Sequence, residues 1–102
     1  MYRASERVEH AAWIDRLDDA RDRLDLDDEA LSTAIDLFFS HAPDDDQGKR
    51  VVAAASLYAA ALIRGQERSQ SAVADAMDVS RLSVQKRWKS ILRDAGFSPP
   101  TW

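Results

Sequence analysis

The stretch Val51–Ile63, VVAAASLYAAALI, constrains this chain more than any other. It carries no charge, and a helix built from it is apolar on every side. Such a helix has no face to turn to water, so it belongs in the middle of a bundle with other helices around it. Its alanines let those neighbours approach closely. It is also too short to span a bilayer. Lys49 is expected to open this helix, and Gly65, just after Arg64, to close it. With 102 residues in total, the chain has room for one domain with one modest core.

Four amphipathic segments are available to surround it. Ser5 to Arg23 places Trp13, Leu17, Ala20 and then Leu24 at helical spacing, with acids between them. Leu26 lies in a short connection. Asp27 or Asp28 then caps a second helix through about Ser40, with Leu31, Ala34, Ile35 and Phe38 on one face and Phe39 beside them. His41 to Gly48, HAPDDDQG, reads as a loop. Its three aspartates are expected to be solvated, because no spacing like that of a calcium-binding loop surrounds them. Ser69 caps a short helix to Met77 whose Val73, Ala74 and Met77 point inward. Asp78 and Val79 make a turn, and Ser80 caps a last helix with the apolar stripe Val84, Trp88, Ile91, Leu92 and Ala95. Gly96 should stop that helix, and Pro99-Pro100 cannot continue it. Phe97 is expected to fold back on the core, while Trp102 either does the same or serves as an anchor for a partner. Glycines and β-branched residues are few, and period-2 alternation is lacking, so no strand is predicted. The expected fold is all-α: five helices, a central buried one, and a C-terminal helix-turn-helix. The domain covers residues 5–97, and 98–102 form a tail.

Charge divides the chain. Residues 1–46 hold 14 acids and 5 bases, net −9, whereas residues 47–102 hold 4 acids and 9 bases, net +5. The reversal is sharpest between Val79 and Arg93, where Arg81, Lys86, Arg87, Lys89 and Arg93 stand without a single acid. A cationic helix in a protein of net charge −4 points to an anionic partner. Leu82 projects opposite Val84, Trp88 and Ile91. Contact with a thymine methyl would account for an outward Leu among cations, and packing on a neighbouring helix or partner is the other reading.

Other chemistries find little support. There is no Cys for a disulfide, a thiolate zinc site or a nucleophile. His10 and His41 lie in different elements and read as surface residues. The sequence shows no nucleophile beside a base, no paired carboxylates in an apolar setting and no glycine-rich phosphate loop, so neither an enzyme nor a cofactor is expected. Met1 to Arg23 is charged throughout, unlike a signal peptide, and the expectation is a soluble cytoplasmic protein away from membranes.

The run from Arg50 to Leu92 resembles the cyclin-like repeat of archaeal and eukaryotic transcription factor IIB, and more closely the second of that factor's two repeats. The likeness rests on VVAAASLYAAALIRG, on RSQSAVADAMDV and on VSRLSVQKRWKSIL. The first two helices fit the rest of the same five-helix box, extending the likeness over roughly residues 10 to 96. The family typically shows a basic residue, Thr-Gln and a Val-Ala pair in the second run, and Val-Thr-x-Val-Thr-Ile-Arg-x-Arg-Tyr-Lys-x-Leu in the third. The resemblance implies a DNA-binding transcription regulator whose helix 80–95 enters the major groove of double-stranded DNA, with the TATA-binding protein or other basal factors as protein partners. It also implies that Leu82 and Gln85, where the family has Val and Arg, read base edges. Ser80, Arg81, Ser83, Lys86, Arg87, Lys89 and Arg93 are then placed for the DNA backbone, with Arg87 nearest the edge of the buried stripe. The family's zinc ribbon, its linker segment and one of its two repeats have no counterpart in these residues, so the expectation is a truncated, single-repeat member. Asp78 stands where the family usually has Gly. The alternative function is a cyclin-like adaptor that contacts the basal machinery without reading DNA.

Composition adds one physical expectation. Of the 18 acids 14 are Asp, and Arg outnumbers Lys 11 to 3, a bias that resembles proteins of halophilic archaea, which work in molar salt. The acidic half repels itself at low ionic strength, while at 1 M salt the screening length falls to about 3 Å. The melting temperature followed by circular dichroism should therefore rise with KCl; a flat or falling curve would contradict this.

Overall fold

Each helix boundary is held by groups that its own sequence supplies. The computed structural model describes residues 4–98, with side chains from residue 11 onward. It contains α1 (Ala4–Arg23), α2 (Asp28–His41), α3 (Asp46–Ile63), α4 (Gln70–Met77) and α5 (Arg81–Asp94), with no strand among the described residues. The first free amides of four helices are capped: Ala30 donates to Asp27, Gly48 to Asp45, Ala72 to Ser69 and Ser83 to Ser80.

Four helices also end alike. At the end of α1 the Leu26 amide donates to Arg21 and the Asp25 amide to Asp22; the same nested pair recurs at Gln66 and Gly65, at Val79 and Asp78, and at Phe97 and Gly96. This is the Schellman motif, which needs one residue in the left-handed region. Gly65 and Gly96 adopt it at φ 70° and 92°, Asp25 and Asp78 at 56° and 57°. Asp accepts that conformation at lower cost than most side chains.

α3 touches all four other helices. Every residue from Val52 to Ala61 is buried, as an apolar surface on all sides requires. Trp13, Leu17 and Ala20 of α1, with Leu24 beyond its end, face the core as expected; so do Val73, Ala74 and Met77 of α4 and Val84, Trp88, Ile91 and Leu92 of α5. Trp88 is 1% exposed and meets the Tyr58 ring edge-on at 5.1 Å, which joins α5 to α3.

Four expectations need correction. α3 begins at Asp46 rather than Lys49, because Asp45 caps it and Asp46 places a negative charge at the positive helix end. Gly48 fits this tight start, where a Cβ would stand 2.7 Å from Pro43 Cγ. On α2 the buried face is Ala30, Ala34, Leu37 and Phe38, with Leu31 and Ile35 only partly buried. The helix is turned so that Phe38 meets Trp13 at 5.5 Å while the same face covers α3. Ala95 and Phe97 are exposed, the latter by 46%. α5 stops at Asp94, and the turn through Gly96 carries the chain out of the core after Leu92. The side chain of His10 and residues Pro99, Pro100 and Trp102 lie outside the described residues.

Trp88 fills the contact between α3 and α5, so Trp88→Ala should cost on the order of 3–5 kcal/mol, a large part of a small domain's stability. Denaturant melts of the variant and its parent measure this, and coincident curves would place the ring outside the core.

Candidate nucleic-acid interface

The α4–α5 pair is fixed to the scaffold at both ends. At the start, Arg68 Nε donates to the Leu24 carbonyl at 2.7 Å and its Nη2 to the Asp25 carbonyl at 2.9 Å, while Nη1 donates to the Gln66 and Glu67 carbonyls. One guanidinium thus binds the end of α1 to the segment that leads into α4. Gln66 reinforces it, accepting from the Asp27 amide at 3.1 Å and donating to the Asp27 carboxylate. The Ala30 amide, with Gln66 second, holds the Asp27 carboxyl below its ordinary value. Neither Arg68 nor Gln66 stands out in the sequence as a tie of this kind, since their partners are main-chain and side-chain groups about forty residues away.

At the other end lies the turn. Asp78 adopts φ 57° and ψ 48°, and Arg50 Nη1 of α3 reaches its carboxylate at 3.3 Å. Ser80 Oγ then accepts from the Ser83 amide at 3.1 Å and lies 2.8 Å from Ser83 Oγ. With Val84, Trp88, Ile91 and Leu92 buried, the helical period places Leu82, Lys86 and Arg93 opposite the core, with Gln85 and Lys89 on one flank. Leu82 is 53% exposed, an unusual setting for a large apolar side chain.

The structure separates two of the cations from that outer face. Arg87 lies on the other flank, lining a small cavity of about 130 Å³ with His41, Val52, Ser90, Ile91 and Asp94. Lys89 is partly buried, its Nζ 5.6 Å from the centre of the Trp88 ring. Arg81, Gln85, Lys86 and Arg93 are exposed, and Ser83 is partly buried beside Ser80.

Pairing distinguishes the scaffold from α5. Arg21, Arg23, Arg50 and Arg64 each meet a carboxylate, on Asp18 and Asp28, Asp19, Asp78 and Glu29 respectively. Among the described residues no cation of α5 meets one. The acid at the end of α5, Asp94, faces His41 of α2 instead, Nε2 to Oδ2 3.4 Å. Unpaired cations around an exposed Leu form a surface suited to a polyanion that also has apolar groups. No three His, Cys, Asp or Glu side chains among the described residues come together as metal ligands.

A buried central helix surrounded by four others, the last two joined by a left-handed turn, defines an all-helical box of the cyclin-like kind. Residues 7–94 match the family model described as the transcription factor TFIIB repeat, and the chain belongs to that family. It is 35% identical over 54 residues to transcription initiation factor IIB 2 of Thermococcus kodakarensis. That alignment covers 53% of this chain and 18% of the relative, so the chain corresponds to a small part of that protein's length.

The caps of α5 are separable by mutation. Ser80→Ala removes the acceptor of the Ser83 amide and should cost about 1 kcal/mol, whereas Ser83→Ala keeps that amide bond and should cost less. Urea midpoints of the two variants give the comparison, and the reverse order would show that Ser80 is not the functional cap.

Proposed function

We propose that this chain is a DNA-binding transcription regulator that lays α5 in the major groove of duplex DNA, with α4 and α5 acting as a helix-turn-helix. The observation that carries this reading is the set of α5 cations without carboxylate partners among the described residues, in a chain where Arg21, Arg23, Arg50 and Arg64 each meet one. Leu82 and Gln85 read base edges. Ser80, Arg81, Ser83, Lys86 and Arg93 hold the backbone. Lys89 joins them by swinging off the Trp88 ring, and Arg87 contributes from the far flank. Residues 5–97 form the binding unit, with 98–102 as a tail outside it. Protein partners are the basal transcription machinery, the TATA-binding protein among them, in keeping with the factor IIB relative.

Specificity turns on Gln85. Gln suits the N7 and N6 of adenine, whereas Arg pairs with the N7 and O6 of guanine, each worth roughly 1–3 kcal/mol of discrimination. Selection of bound sequences from random duplex DNA should give adenine, or little preference, at the position where Gln85→Arg selects guanine. Two indistinguishable logos would mean that Gln85 reads no base, and the protein would then be better described as an adaptor to the basal machinery.

A further inference from the structure

A second group of arginines stands beside the α4–α5 turn. Arg16 and Arg23 of α1 and Arg50 of α3 line a cleft of about 250 Å³ with Trp13, Ala76, Met77, Asp19 and Asp78. Trp13 and Met77, both nearly buried, lie beneath it. Two of the guanidiniums are held by single, exposed contacts: Arg23 lies 3.5 Å from Asp19, whose side chain is 71% exposed, and Arg50 lies 3.3 Å from Asp78, which is 94% exposed. The third has no carboxylate among the described residues. Arg16 lies over the Trp13 ring, 4.4 Å from its centre. Three cations against two acids leave the cleft positive, although α1 itself comes from the acidic half of the chain.

Position gives this charge a use. Asp78, one wall of the cleft, ends α4 two residues before Ser80 caps α5. Three residues of chain span at most about 10 Å, so the cleft and the start of α5 are within reach of one strand of nucleic acid. Resting on the DNA-binding reading above, we propose that this cleft is a second phosphate subsite: the duplex whose groove α5 enters places a backbone phosphodiester against Arg16, with Arg50 and Arg23 beside it. Arg16 carries the contact because it has no carboxylate among the described residues to give up, and the stack on Trp13 orients its guanidinium in advance. Asp19 and Asp78 keep the other two arginines at the rim.

The salt dependence of duplex binding tests this, measured by fluorescence anisotropy across KCl concentrations at which circular dichroism shows each protein folded. Each lost phosphate contact lowers the magnitude of the slope of log K against log salt by about 0.9. Arg16→Gln should show that loss without a change in sequence preference, and Arg16→Lys should restore the slope. Arg64→Gln, which removes an equal charge at the pair with Glu29, should leave it as in the parent. If Arg16→Gln binds with the parental slope, or if Arg64→Gln lowers the slope equally, the subsite is overturned while groove binding by α5 stands. A parent protein that binds no duplex overturns both.

Discussion

Burial of α3 from Val52 to Ala61 on every side is the condition on which the other elements depend. A helix with no polar face is stable in water only if other helices cover it on every side, and four do so. Alanine makes the close cover possible, and a few larger residues set where each neighbour sits. Tyr58 seats Trp88, and with it α5. Burial pushes the Tyr58 hydroxyl above its ordinary value, and the Gln70 side chain opposes that shift. Ser56 is the one buried polar residue of the helix, and its hydroxyl has no partner among the described residues.

Helix ends, more than helix faces, determine how α5 is presented. A left-handed residue after α4 reverses the chain within two residues, and Ser80 restarts it. Asp at that position does one thing that Gly cannot: while tolerating the conformation as Gly does, it offers a carboxylate that takes Arg50 from the central helix. The pair is exposed and worth little as stability. Its consequence is electrical, because it neutralises an acid that would otherwise stand at the entrance to the cationic helix. Arg68 works at the opposite end of α4 through main-chain carbonyls, which are unaffected by protonation in the ordinary pH range.

Charge is used differently in the two parts of the molecule. Apart from Arg16, which stacks on Trp13, the described arginines of the scaffold are tied to acids or carbonyls, and α5 keeps its cations apart from acids. The net values of the two halves, −9 and +5, already show that division in the sequence. They do not show that Arg16 and Arg23, which belong to the acidic half, come to stand beside the turn of the basic half.

What the sequence by itself determined is local. The helices, most of their caps, the left-handed residues at Asp78 and Gly96 and the buried stripe of α5 all follow from residues within a few positions of one another, because caps and the 3.6-residue period are short-range properties. The acidic run before α3 was a local signal too, a cap and first turn hidden among residues that also suit a loop. Only the tertiary structure decided the rest. The rotation of α2 that buries Leu37 in place of Ile35 depends on two neighbours packing at once. Arg87 comes to line a cavity with His41 and Val52 because α2 and α3 meet that flank of α5, and Phe97 stays half exposed beside Leu62, Ile63 and Leu92. Each of these is settled by contacts between residues far apart in the chain, which the pattern along any one segment does not encode.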